Sequence, residues 1–246
     1  NGLKCNPHDT SIMNKTCEDG SQLTVVVYVD DILITSTNKE AVKELLRSIT
    51  KRYKHVKSHE GTKLEYLGMS IDMTTKGSAK ITMSGMEERI VDDSNLGKGG
   101  RSATSPASNT LFEIDEDSPM LSEKERKEFH AMVARLLYLS KRVRPECLLS
   151  VAFLTTRVLK ATQEDAQKLQ RIVTYLRDTK GRGIQLTPGK SGIVVSGHFD
   201  AAYGVHPDGK SHTGACIMIG DAGPVLAESC RQQIVTKSST EAELVA

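Results

Sequence analysis

Three stretches of the 246-residue sequence predict an α+β chain. Leu23 to Ser36 (LTVVVYVDDILITS) is β-branched on both sides of an acidic pair. From Ser122 to Leu176 apolar residues recur at helical spacing, and from Ile193 (IVVSGHFD) the pattern returns to strands. The acidic pair organises the first part. Val25, Val26, Val27 and Val29 precede it and Ile32 and Ile34 follow, residues that favour extended backbone, so two short strands fold at Asp30-Asp31. Adjacent aspartates in an apolar setting repel and lose hydration, which a bound cation relieves. Oxygen ligands suit Mg²⁺ or Mn²⁺, and paired ions can clamp a phosphoryl transfer. A plain turn and the acidic pocket of a receiver-like domain also fit these residues. The receiver reading requires a parallel sheet, which the hairpin pattern disfavours.

The remaining elements follow in order. Residues 1–22 are polar and turn-rich, with Glu18-Asp19-Gly20-Ser21 as a loop into the Leu23 strand. Asn38 caps a helix to about Tyr53, whose Val42, Leu45, Leu46 and Ile49 form a core stripe. Lys63 to Asp72 alternates as one strand, with Gly68 as a bulge or a point of close backbone approach. The turn Lys76-Gly77-Ser78, a strand at Lys80 to Met83 and a helix from Ser84 to Asp93 come next. The glycine-rich patch at Gly97–Ser102 lacks the spacing of a phosphate loop, so a linker and domain boundary are placed over residues 99–120. Ser122-Glu123-Lys124-Glu125 is a capping box for a long helix. Pro145 opens a second helix to Lys160, and Thr162 caps a third that Gly181 stops. Strands at Ile193–Asp200, Thr213–Ile219 and Pro224–Glu228 follow, with Ser229–Thr236 as a further strand and a helix near Thr240.

Composition narrows the class. The chain can hold one large or two modest domains. Its five cysteines show no Cys-x-x-Cys spacing, which argues against a zinc site or disulfide framework and for a reduced, intracellular setting. No apolar run approaches the roughly 20 residues of a membrane span, so no membrane partner is expected and the chain reads as soluble. Net charge is only +2, but residues 121–190 carry fifteen Lys and Arg against seven Asp and Glu. A basic middle between acid-bearing ends fits a protein that grips a phosphate backbone. A start without methionine and an end inside a helix start read as a fragment of something longer.

Tyr28-Val29-Asp30-Asp31 and its flanks (VVVYVDDILITS) resemble the Tyr-X-Asp-Asp box of copia-type LTR retrotransposon Pol polyproteins. GHFDAAYGVHPDGKSHTG and KSSTEAELVA resemble the same family's RNase H domain, and residues 129–186 its linking region. The resemblance covers nearly the whole chain. It implies a partial reverse-transcriptase palm over residues 1–98, the linker at 99–120, a helical thumb or connection region at 121–190, and a truncated RNase H-like α/β domain at 191–246.

The implied function is RNA-directed DNA polymerisation with linked RNase H, by two-metal phosphoryl transfer. Asp30, Asp31, Asp200 and Glu243 are then catalytic metal ligands for Mg²⁺ or Mn²⁺, Asp31 the less strictly coordinating of its pair. Tyr28 and Val29 lie beside the primer terminus, and Tyr66-Leu67-Gly68 resembles the hairpin that holds the primer end. Implied partners are an RNA template, a DNA primer, the RNA–DNA hybrid and the remainder of the polyprotein. The implied location is cytoplasmic, in a virus-like particle, with access to the nucleus. Tyrosine stands at 203 where the family usually has tryptophan, and Val143-Arg144-Pro145-Glu146 replaces a Thr-Arg-Pro-Asp run.

The family's upstream aspartate and downstream acids lie outside these residues, so the fragment alone is expected to polymerise nothing measurable. A rival from another class is a non-catalytic nucleic-acid-binding relic or domesticated remnant. For Glu243 a structural rival exists: Thr240-Glu241-Ala242-Glu243 is itself a capping box. His206 and His212 read as exposed loop residues and carry no role.

Overall fold

The computed structural model describes residues 2–94, 102–188, 194–220 and 223–246. The chain divides into two compact units, Asn1–Leu67 and Gly68–Ala246. The glycine patch at 97–101, the start of the Ile193 strand and part of the Gly220–Gly223 turn lie outside the described residues.

The first unit is an antiparallel meander of β1 (Lys4–Cys5), β2 (Ile12–Thr16), β3 (Gln22–Tyr28) and β4 (Asp31–Ser36). Alternation along β3 turns Leu23 and Val25 into the core while Gln22 and Tyr28 stay exposed. Against that face packs α1 (Lys39–Arg52), through the buried Leu45 with Ala41, Val42 and Ile49. Asn38 caps α1 as its sequence requires, its side chain accepting from the Ala41 amide at 2.9 Å. A further strand, β5 (Lys63–Tyr66), ends the unit.

In the second unit, β6 (Met69–Asp72), β7 (Ala79–Thr82) and a late strand, β8 (Ile184–Leu186), pair antiparallel, β7 in the middle. Gly183 permits this approach, since a Cβ there would overlap the Ile81 carbonyl oxygen. Helix α2 (Ser84–Asp93) buries Ile90, and α3 (Glu123–Ser140) buries Phe129, Val133, Leu136 and Leu139 at helical spacing. Ser122 and Glu125 form both bonds of the capping box that opens α3. Thr162 and Asp165 do the same for α5 (Gln163–Asp178).

Four expectations need correction. Lys63–Asp72 is two strands interrupted at Leu67-Gly68, both at positive φ (50° and 76°). The second helix begins as a 3₁₀ turn at Pro145–Cys147, and α4 (Leu148–Thr155) stops five residues early. Thr155 and Thr156 turn their hydroxyls onto the Ala152 and Phe153 carbonyls there, and Arg157 is drawn to Asp165. Residues 102–121 are no loose linker: Ala103, Leu111 and Leu121 are buried in the helical core, and the Leu121 amide donates to the Ala161 carbonyl. Last, β9 (Val195–Ala202), β10 (His212–Ile219) and β11 (Pro224–Arg231) form one antiparallel meander with β10 central, and no strand covers residues 232–236. The chain closes with α6 (Ser239–Val245), which packs on β9 and β10.

Candidate functional site

Tyr28 pairs with Asp31 across β3 and β4, so Val29 and Asp30 are the whole loop. Val29 takes φ 55°, the left-handed backbone that a two-residue hairpin turn demands at its first central position. Valine is a poor residue for that conformation, and its side chain is 87% exposed, so no burial compensates. Strain of this kind concentrates at functional sites. Val29→Gly is expected to raise the unfolding free energy by about 1 kcal/mol in urea titration, as relief of strain outweighs glycine's added chain entropy. A loss of stability would show that the turn is unstrained.

Asp30, the second residue of the turn, and Asp31, the first of β4, are both exposed and, among the described residues, without a hydrogen bond or ion pair. Tyr28, 60% exposed, stands beside them. The Tyr66 hydroxyl is buried and, among the described residues, without a partner, and its pKa is raised by burial and then by the Asp31 charge. Leu67 and Gly68, which follow Tyr66, form a second two-residue turn.

Asp200 and Glu243 belong to the second unit. Asp200 lies on β9, opposite Gly214 of β10, and is exposed. With His198 it lines a cavity of about 480 Å³ whose other walls include Pro145, Leu148, Cys216 and Ser229. Glu243 is exposed on α6, the helix that packs on the strand bearing Asp200. The rival capping box at Thr240 does not form. Ser238 is the N-cap, accepting from the Glu241 amide at 3.1 Å, and Glu241 accepts from the Lys237 amide at 2.6 Å. Glu241 therefore serves the helix start, which leaves the Glu243 carboxylate without a capping role.

These acids suit a hard cation in donor type: carboxylate oxygens only, accessible, with lone pairs not committed inside the protein. Each place supplies at most two protein carboxylates, for among the described residues no group of three His, Cys, Asp or Glu side chains is poised around one point.

Sequence reasoning missed one buried polar chain. His206 and His212, expected in an exposed loop, are 4% and 3% exposed. His206 Nε2 lies 3.0 Å from His212 Nδ1, and His212 Nε2 lies 2.7 Å from Ser229 Oγ. The signal was present: His212 begins the run HTGACIMI, whose first residue enters the core as β10 starts.

No protein-family model and no solved structure matches the chain. Curated relatives do. A retrovirus-related Pol polyprotein from transposon RE1 of Arabidopsis thaliana is 29% identical over 222 residues, 89% of this chain and 14% of the relative. The corresponding polyprotein from transposon RE2 is 26% identical over 91% of the chain. The Ty1-NL2 Gag-Pol polyprotein of Saccharomyces cerevisiae is 23% identical over 242 residues, again 91% of the chain. The chain is homologous to copia-type Pol polyproteins.

It spans about one seventh of the length of these copia-type relatives. A match covering 89% of the chain takes in the hairpin acids and Asp200 whichever end it leaves out. Asp30, Asp31 and Asp200 thus lie within the span that this relative matches. No described helix is long and apolar enough to cross a membrane.

Proposed function

We propose that this chain is part of an RNA-directed DNA polymerase with a linked RNase H, acting on nucleic acid at two acidic sites. The observation that carries the reading is the β3–β4 hairpin. Asp30 on a strained two-residue turn and Asp31 at the start of β4 are consecutive, exposed and, among the described residues, uncommitted to any internal partner. In this reading residues 1–98 belong to a polymerase palm, 121–190 to a thumb or connection region, and 191–246 to an RNase H-like domain. The antiparallel β9–β10–β11 meander followed by a helix on β9 supports the last assignment.

Asp30 and Asp31 would hold Mg²⁺ or Mn²⁺ at the polymerase site, and Asp200 with Glu243 at the hybrid-cleaving site. A bound divalent ion supplies Lewis acidity toward phosphoryl oxygens and lowers the pKa of an attacking hydroxyl or water. The protein's own part is placement. The closed Tyr28–Asp31 pair fixes both carboxylates on one rigid tip, so little ordering remains to be done when substrate arrives. Tyr28 and Val29 project beside that tip and would contact the primer terminus. The Leu67-Gly68 turn would support the primer strand, its positive φ values leaving a backbone that nucleic acid can approach closely. Lysines and arginines of α3 and α5 would meet the duplex phosphates, contacts that set register without reading sequence.

The test is strand synthesis by a Pol polypeptide that includes this chain and its flanking sequence, given an RNA template, a DNA primer and Mg²⁺. Template-directed, metal-dependent extension is expected, with loss of the RNA strand from the hybrid. Extension that is indifferent to a chelator would overturn the reading. The remainder of the polyprotein is the natural partner, and a cytoplasmic virus-like particle with later access to the nucleus is the setting this function requires.

A further inference from the structure

His206 lies in the loop between β9 and β10 and His212 begins β10 at its end, both buried although Pro207, Asp208 and Gly209 between them are exposed. Phe112, from the 102–121 segment, meets His206 edge-on at 5.0 Å between centroids and His212 at 5.5 Å. Phe153 of α4 stacks on His206 at 6.3 Å. The two imidazoles are thus the point at which this loop enters the helical core. Around them, Asp208 and Arg231 pair at 3.1 Å on the outer side. Lys168 of α5, paired with Glu164, stands over the Phe153 ring. His198, Asp200, Glu146 and Glu228 line the cavity that His212 also lines. No carboxylate among the described residues is hydrogen-bonded to either imidazole.

Each ring, when neutral, has one N–H, so the chain His206–His212–Ser229 is satisfied with all its donors running one way. One extra proton can be accommodated by the geometry, but it places a charge among phenylalanines. Two extra protons aim N–H at N–H across the 3.0 Å contact, and the pair cannot persist. We propose that His206 and His212 form an acid-sensitive latch, holding the β9–β10 loop and its sheet against the helical core at neutral pH and releasing them in acid.

The electrostatics run in the required direction. Burial and then Arg231 lower the His206 pKa, Asp208 opposing; burial and then His206 push His212 down to about 4. Groups depressed in the closed state stabilise it fully above their ordinary value, and that stabilisation is lost as pH falls through the interval toward the closed-state value. Opening takes up as many as two protons, so within that interval it is favoured by up to about a hundred-fold per pH unit.

The test is amide hydrogen exchange on the whole 246-residue chain between pH 7 and 4.5, corrected for the intrinsic pH dependence of exchange. The amides of Gly204, His206 and Gly209, all hydrogen-bonded in the closed loop, report opening. Their protection is expected to fall at least about thirty-fold between pH 6.5 and 5 while that of Leu169 to Leu176 in α5 holds. In H206F/H212Q the step disappears, and in H206F alone its steepness halves, which serves if the double variant does not fold. D208N, which removes the Asp208–Arg231 pair, leaves the step in place. Loop opening no earlier than α5, a step that survives H206F/H212Q, or one abolished by D208N would each overturn the latch.

Discussion

Arg144→Ala is expected to cost about 3–5 kcal/mol of stability, more than any surface substitution in the chain. Arg144 is fully buried and spends its guanidinium on three partners: Glu87 at 2.7 Å, Glu146 at 2.8 Å and the Thr179 hydroxyl. Glu87, 1% exposed, has its second oxygen committed to the Gly181 amide at 3.1 Å. Burial opposes the charge on Arg144, but the hydrogen bonds it donates to the two glutamates outweigh it and raise its pKa, so the guanidinium stays ionised. Alanine would leave Glu87 as an uncompensated buried carboxylate, the costly case for a broken buried pair. Arg144→Lys is expected to fall between, because an ammonium cannot reproduce the planar fork that reaches all three partners. Replacing both members, Arg144→Met with Glu87→Leu, is expected to recover most of the loss. Urea unfolding monitored by far-UV circular dichroism reads each value; a loss below about 1 kcal/mol for Arg144→Ala would mean that water reaches Glu87.

The second large effect concerns chemistry, and it is separable by site. In a Pol polypeptide that includes this chain, Asp30→Asn is expected to lower RNA-templated primer extension by at least about a hundred-fold while hybrid cleavage persists. Asp200→Asn is expected to do the reverse. The carboxylates involved are exposed and unpaired among the described residues, so neither substitution removes an internal bond and the folded state should be unaffected. Equal loss of both activities from either variant would argue for a common structural cause instead of two sites.

Much of this architecture was legible because local chemistry and burial agree. Asn38, Ser122 and Thr162 each cap the helix their sequence context announces, and the apolar periods of α1, α3 and α5 fall on buried faces. The strand pair around Asp30-Asp31 was legible for the same reason, its β-branched residues alternating between core and surface. What was missed depended on partners distant in sequence. A leucine at φ 50° in the Leu67-Gly68 turn leaves no local mark, because leucine is not a residue that announces left-handed backbone.

Strand β8 exists only because β7 offers its edge to three residues over a hundred positions away. The 102–121 segment reads as a linker by its prolines, serines and acids, yet the core takes up Ala103 and Leu111, and the Asp178 carboxylate receives the Ala103 amide at 2.9 Å. The histidines were misplaced because their loop is polar at its tip, while their burial comes from Phe112 and Phe153, far upstream.

The central claim, that the Asp30-Asp31 turn is a cation-binding catalytic tip, is tested most directly by Mn²⁺ titration of the isotope-labelled chain. Paramagnetic broadening is expected to centre on the amides of Tyr28 to Asp31, and to vanish there in Asp30→Asn with Asp31→Asn. Broadening elsewhere in the chain with the hairpin untouched, or broadening unchanged in the double variant, would contradict the account.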